Sequence, residues 1–359
     1  MAASMRASVA APPHPTASAW RTIVAPYQES SARKAVIQLL STLLPLGALL
    51  YLMYRTLDLP IWVTLALGIP TAGLFIRTFI IMHDCSHGSF LASRRANDAI
   101  GFVTGVLTLM SFGKWRRDHA LHHASSGDLE RRGHGDVPTL TVREYRARSR
   151  WGRLKYRLIR NPFVLLGLGP FLIVLEQRLA SREHRVGSRQ FWNVWGANAA
   201  IVVVAGAFAL LIGWRALLLV YLPAYYLAAV AGVWLFYVQH QFEGTYWQDH
   251  ERWDYATAAV RGSSYLKLPA PLRWFTGNIG LHHVHHLSPR IPNYNLQRCH
   301  DENALFHDVS VVSLKQCGSV LRLALWDEDA QRLVPFAALG RGSSGPMRKA
   351  VARVGRFPR

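Results

Sequence analysis

Three groups of closely spaced histidines stand out in this sequence. They are His83-Asp84-Cys85-Ser86-His87, His119-Ala120-Leu121-His122-His123 and His282-His283-Val284-His285-His286. Neutral imidazole is a good donor to zinc, copper, iron and nickel. On a helix, residues three and four apart share one face. The pair His83/His87 and the triples His119/His122/His123 and His282/His285/His286 should therefore each aim their rings to one side. His283 breaks that face and is expected to meet a partner behind the ligands. Eight aligned nitrogens exceed the roughly four ligands of a single zinc-type site, so two metal ions in one histidine-lined pocket are expected. Bundle sites built on carboxylates repeat Glu-x-x-His, and this chain has no such sequence. The donor set should be almost wholly neutral nitrogen. His240, within Tyr237-Val238-Gln239-His240-Gln241-Phe242-Glu243, is a further candidate ligand. Asp84 and Asp118 adjoin cluster histidines, and Asp136, Glu243 and Asn278 lie nearby, so they are candidates to orient the rings. His14, His134, His184, His250, His300 and His307 lack the spacing and are read as exposed or structural.

Ligands this far apart in sequence need a frame to bring them together. The chain has 359 residues, of which 50% are hydrophobic and only 17% charged, against about 25% charged in a soluble domain. The apolar residues come in blocks, which points to a membrane protein crossing the bilayer several times. A spanning helix needs about 20 mainly apolar residues, and four stretches approach or meet that length: 35–54, 61–82, 197–212 and 217–238. Short links containing Pro60 and Gly213-Trp214-Arg215 make them two helical hairpins. The weaker apolar segments Asn97 to Phe112 and Pro162 to Leu175 are expected to lie in or under the membrane surface. The fold class read from this pattern is all-α, with four transmembrane helices and a helical cap formed by 83–190 and 239–310.

Charge sets the orientation. The formal net charge is +20, and arginines crowd the segment 114–189, whereas the hairpin links hold only Arg55 and Arg215. Positive loops stay in the cytoplasm, so the cap and all three histidine groups should share the cytoplasmic side. The excess charge is read as topology signal and attraction to anionic lipid, with no nucleic-acid partner implied. Cys85, Cys299 and Cys317 form no spaced framework, which suits a reducing compartment. Residues 1–30, rich in Ala, Ser and Pro without a secretory core, are expected to be disordered. The region 311–359 is expected to be a separate cytoplasmic end with a basic disordered tail. A metal transporter would place its ligands near the bilayer midplane; here the histidines sit at the ends of spans.

With these residues in view, the chain resembles the membrane fatty acid desaturases. The boxes follow that family's His-x₃-His, His-x-x-His-His, His-x-x-His-His pattern in order and spacing. The likeness is closest to the omega-6 (delta-12) acyl-lipid branch. It rests on Met82–Phe90, on Gly127-Asp128-Leu129 through Arg131-Arg132-Gly133 to Asp136, on Gln239–Gly244, on Asn278–Leu287 and on Ile291-Pro292-Asn293-Tyr294. It covers about residues 35–310, within an expected membrane domain of 31–310. The resemblance implies that His83, His87, His119, His122, His123, His282, His285 and His286 bind two iron ions, with His240 as a further ligand. It implies a membrane-lipid acyl chain and O₂ as substrates, a cis double bond as product, and reduction of O₂ to water. No fused cytochrome b5 domain and no flavin or nicotinamide glycine fingerprint is visible. A separate electron donor is implied, a ferredoxin or a cytochrome b5-like protein, which the arginine-rich face would attract if acidic. The expected location, from the N-terminal composition and the excess of arginine over lysine, is a bacterial inner membrane. Related membrane hydroxylases of lipids, alkanes or carotenoids share these boxes, so hydroxylation is the alternative outcome. Tyr221, Tyr225, Tyr226, Trp234 and Phe236 on the fourth span are read as channel wall or packing.

Overall fold

The computed structural model describes residues 19–133, 135–180 and 186–340. Four helices are long and apolar enough to cross a membrane: Ala32–Arg55, Ile61–His87, Arg189–Leu211 and Trp214–His240. The first starts at Ser31, whose side chain accepts from Lys34 N. A buried Thr56–Thr64 hydroxyl pair (3.0 Å) pins the link to the second. The second span ends at Gly88, which takes the left-handed φ of 68° that glycine adopts without a Cβ clash. This stop places His83 and His87 on its last turns.

The second span is the central one. Of its apolar window 56% is buried, against 11–28% for the other three, which leave residues such as Leu44, Val202, Leu210 and Leu218 facing outward. It packs along the first and fourth spans and along the helix Arg94–Leu107. The third span diverges from the fourth after Gly213 and leans chiefly on Arg94–Leu107 and on Phe112–Ser125, the helix that carries the second histidine group. The fourth span begins with a π-helical turn at Leu217–Tyr221, just before Pro223. Proline lacks an N–H and crowds the carbonyl four residues back, and a wider turn relieves both.

The weaker apolar segments form short helices. Asn97 to Phe112 becomes Arg94–Leu107 and a turn at Leu109. Pro162 to Leu175 breaks into Pro162–Gly167 and Gly169–Arg178. Tyr221 and Tyr225 donate to the Leu107 and Thr108 carbonyls (2.5 and 2.7 Å), and Tyr226 donates to Gly167 (2.7 Å). These tyrosines tie the fourth span to the short helices.

Two boundaries differ from the sequence reading. Residues 19–30 are ordered: Ala19–Val24 is helical, and Val24 and Tyr27 pack on Leu281, Val284 and Leu287 around the third histidine group. Two apolar side chains fitting that cluster outweigh the polar composition. Residues 1–18 lie outside the described residues. At the other end, 311–340 is continuous with the cap. Val311–Ser313 pairs in parallel with Tyr265–Lys267. Leu323–Asp327 pairs in parallel with Leu140–Thr141 and antiparallel with Arg332–Pro335. Such short strands in separate parts of the chain show little period-2 pattern. They add small sheets to an otherwise helical fold. The basic tail from 341 onward lies outside the described residues.

Candidate metal centre

Four elements meet at one end of the bundle: the C-terminal turns of the second and fourth spans, the helix Phe112–Ser125 and the short helix His282–Leu287. The last is placed by a tight approach. Gly277 and Asn278 both adopt left-handed φ (53° and 58°), and Gly280 O accepts from Leu266 N (2.8 Å). A Cβ at Gly280 would lie 2.5 Å from the Leu266 carbonyl oxygen. Gly280→Ala is therefore expected to cost about 1–3 kcal/mol through overpacking and to lower metal content by displacing His282. Thermal unfolding in detergent and metal analysis would check this, and an unaltered midpoint with full metal would refute it.

The nitrogens converge in two groups. One ligand atom from each of His83, His87, His119, His123 and His285 lies within 4.8 Å of all the others, and likewise for His122, His240 and His286. His282 Nε2 joins the second group, 2.9 Å from His240 Nε2 and 3.1 Å from His286 Nε2. His119–His123 and His123–His285 approach to 3.1 and 3.0 Å, and His122–His240 to 3.3 Å. Two nitrogens bound at 2.0–2.1 Å to one ion, at 90–109° to each other, stand about 2.9–3.4 Å apart. His83 Nε2 and His87 Nε2 are buried with no hydrogen-bond partner, a costly state for a polar atom unless a ligand meets it. Burial, reinforced by the neighbouring histidines, holds His119, His123, His282, His285 and His286 well below the ordinary histidine range. They are neutral at pH 7, the form that binds metal. The residues present fit two ions.

The surroundings divide the remaining candidates. Asp84 Oδ1 meets His83 Nδ1 (3.1 Å), and its Oδ2 accepts from the backbone N and Nδ2 of Asn293 (2.6 and 2.8 Å). Asp136 Oδ1 meets His122 Nδ1 at 2.6 Å. Asp118 does not act in this way. It follows Lys114 by one helical turn and takes its ammonium (2.8 Å), which turns the carboxylate from the rings. Asn278 holds no ring directly either: its Nδ2 donates to Asn293 O (3.2 Å), which links it to His83 through Asn293 and Asp84. Glu243 pairs with Arg332 (2.8 Å). His283 lies off the face as expected, with Nε2 against His300 Nδ1 (3.2 Å), and burial holds it at about 3. His250 pairs with buried Asp128 (2.7 Å). His14, His134 and His184 lie outside the described residues.

Sequence reasoning missed the parts played by Asn293 and Trp115 and read Phe236 only as channel wall or packing. Asn293 anchors Asp84. Trp115 stacks on His119 with ring centroids 4.1 Å apart, and Phe236 packs against His122 and His240. Trp115 stands four residues before His119, which is a legible signal; the Asn293 contact joins residues far apart in sequence and is not. Loss of Asp136 is expected to matter. Asp136→Ala should lower metal affinity or turnover about 10–100-fold, the usual effect of removing a ligand's hydrogen-bond acceptor. Wild-type metal content and turnover in that variant would remove Asp136 from the site.

Comparison with known proteins agrees with this arrangement. Residues 59–313 match the family described as fatty acid desaturase. The chain is 45% identical over 318 residues (88% of this chain, 90% of the relative) to a Bacillus subtilis protein named fatty acid desaturase. It is 25% identical over 280 residues (76% and 77%) to an sn-1 oleoyl-lipid 12-desaturase of Synechocystis. It is 26% identical over 237 residues (63% of each) to an sn-1 acyl-lipid omega-3 desaturase (ferredoxin) of the same organism.

Proposed function

This chain belongs to the fatty acid desaturase family and is an oxidoreductase of the membrane, and from that premise we propose that it places a cis double bond in the acyl chain of a membrane lipid with two iron ions. The carrying observation is the pair of converging nitrogen groups at the end of apolar spans. His83, His87, His119, His123 and His285 would hold one ion, and His122, His240, His282 and His286 the other. Bound iron would supply the O₂-dependent removal of two hydrogens from an unactivated methylene pair.

The chain's own residues prepare that site. Asp84 and Asp136 hold the rings of His83 and His122, which sets which nitrogen faces the metal. Trp115 and Phe236 cover His119, His122 and His240 with apolar surface and exclude water, as O₂ chemistry on an inert chain requires. The double-bond position proposed is delta-12, from the likeness at 82–90 and 278–294. The side proposed for the site is the cytoplasm, from the arginine distribution. The electron donor proposed is a ferredoxin, supported by relatives so named and by the basic charge.

The test is the fatty-acid profile of a host expressing the chain, read by gas chromatography–mass spectrometry after double-bond derivatisation. A new dienoic acid with its second bond at delta-12 supports the reading. A bond elsewhere replaces the position, and a hydroxylated acid replaces the reaction.

A further inference from the structure

A cleft of about 400 Å³, not used by the metal centre, lies between the start of the first span and the segment 270–297. That is within the usual range for small-ligand sites, about 300–1,000 Å³. Lys34, Arg77 and Arg273 line it, and no acid does. Their hydrogen-bond partners are neutral. Lys34 Nζ donates to Asn295 Oδ1 (2.9 Å) and Arg273 Nη1 to Gln297 Oε1 (2.9 Å). Arg77 Nε donates to Thr42 Oγ1 (3.1 Å), and its Nη1 donates to the Trp274 carbonyl. Arg273 Nε is buried without a partner. Asp301 lies behind Gln297, whose amide it holds (2.8 Å). Elsewhere Lys114, Arg132, Arg143 and Arg332 reach carboxylates. Three cations sharing one cleft without an acid in its wall call for an anion from outside.

Their depth says where that anion comes from. Lys34 stands in the first turn of the first span, and Thr42, which holds Arg77, lies about 12 Å further along it. The cations therefore run from the membrane surface into the bilayer, where an ionised side chain marks a functional site. Lys34 and Arg77 sit over the rings of Tyr294 and Trp274 (5.5 and 4.2 Å), and Leu272 and Trp274 are each 42% exposed at the rim, as interfacial residues are.

The geometry points to this cleft as the seat of the phosphate headgroup of the acyl-carrying lipid. The inference rests on the acyl-lipid reading above and adds how the substrate is held. Asn293 is part of the cleft wall and also the anchor of Asp84, which holds His83. A headgroup seated there is fixed relative to the metal centre. The double bond is then counted from the carboxyl end of the chain.

The full-length protein in detergent would be titrated by thermophoresis with dihexanoyl phosphatidylglycerol, dihexanoylglycerol and inorganic phosphate. The phosphatidylglycerol should bind at least about tenfold more tightly than the glyceride, the least expected from one hydrogen bond to a charged group. The double variant Lys34→Gln/Arg273→Gln should lose about that factor while keeping wild-type metal content. If it fails to fold, Lys34→Gln alone, at an exposed position, should show a smaller loss in the same direction. Equal affinity for both lipids, or unaltered affinity in the variants, overturns the proposal. So does inorganic phosphate binding as tightly as the lipid, which would assign the cleft to a soluble phosphate. These measurements need no turnover, so they stand apart from failure of the desaturase reading in the fatty-acid profile. In turnover, acyl chains of sixteen and eighteen carbons should receive the bond at the same distance from the carboxyl. A constant distance from the methyl end would overturn the anchor.

Discussion

His285→Ala is expected to lower formation of the new double bond by at least about a thousandfold, or about 4 kcal/mol of transition-state stabilisation. His285 is 1% exposed, and its ring lies 4.4 Å from that of His83 and 4.7 Å from that of His123, centroid to centroid. It is the one member of the five-histidine group that comes from the third box. Removing it opens the group on that side and leaves a cavity that water can enter. The surrounding core is retained, because Leu281, Val284 and Leu287 hold the helix on Val24 and Tyr27. The prediction is therefore a folded protein with depleted iron and no product. It is checked by the fatty-acid profile beside iron analysis of the purified variant. Substantial product from the variant would remove His285 from the metal centre.

The second large effect concerns His240. A polar residue closing a spanning helix is commonly a cap, and a cap would lose little on substitution. In this fold His240 lies between two boxes, 3.3 Å from His122 and 2.9 Å from His282 by Nε2. His240→Ala is expected to reduce bound iron from two ions per chain to about one and to abolish turnover as fully as His285→Ala, because groups that act as a unit fail together. The five-histidine group should keep its ion. A variant with two irons and wild-type product would make His240 a helix cap after all.

Much of this is legible in the sequence. The four spans follow from apolar length, and the structure extends each towards its caps: the second runs to His87 because nothing stops a helix before Gly88. The three boxes follow from helical spacing, and so does the place of His283 off their face, although its partner His300 does not. What sequence could not give is pairing across distance. Asp118 and Asp136 look equivalent as neighbours of the second box; only the fold shows that Lys114 takes the first and leaves the second to His122. Asn278 looks closer to the third box than Asn293 does, yet Asn293 holds Asp84. The strands at 311–335 were missed because each is too short to carry a period and pairs with a remote partner.

That remote pairing has a consequence for the order in which the molecule is made. Leu140–Thr141 lies four residues after Asp136 and is held by Leu325–Trp326, and Tyr156 reinforces the seam through its hydroxyl to the Ala324 carbonyl (2.5 Å). The arm bearing Asp136 is thus clasped by a piece of chain that leaves the ribosome after every histidine box has been translated. On the di-iron reading proposed above, the site would then be completed only after that late segment is in place, so metal should enter after translation of the boxes and not during it.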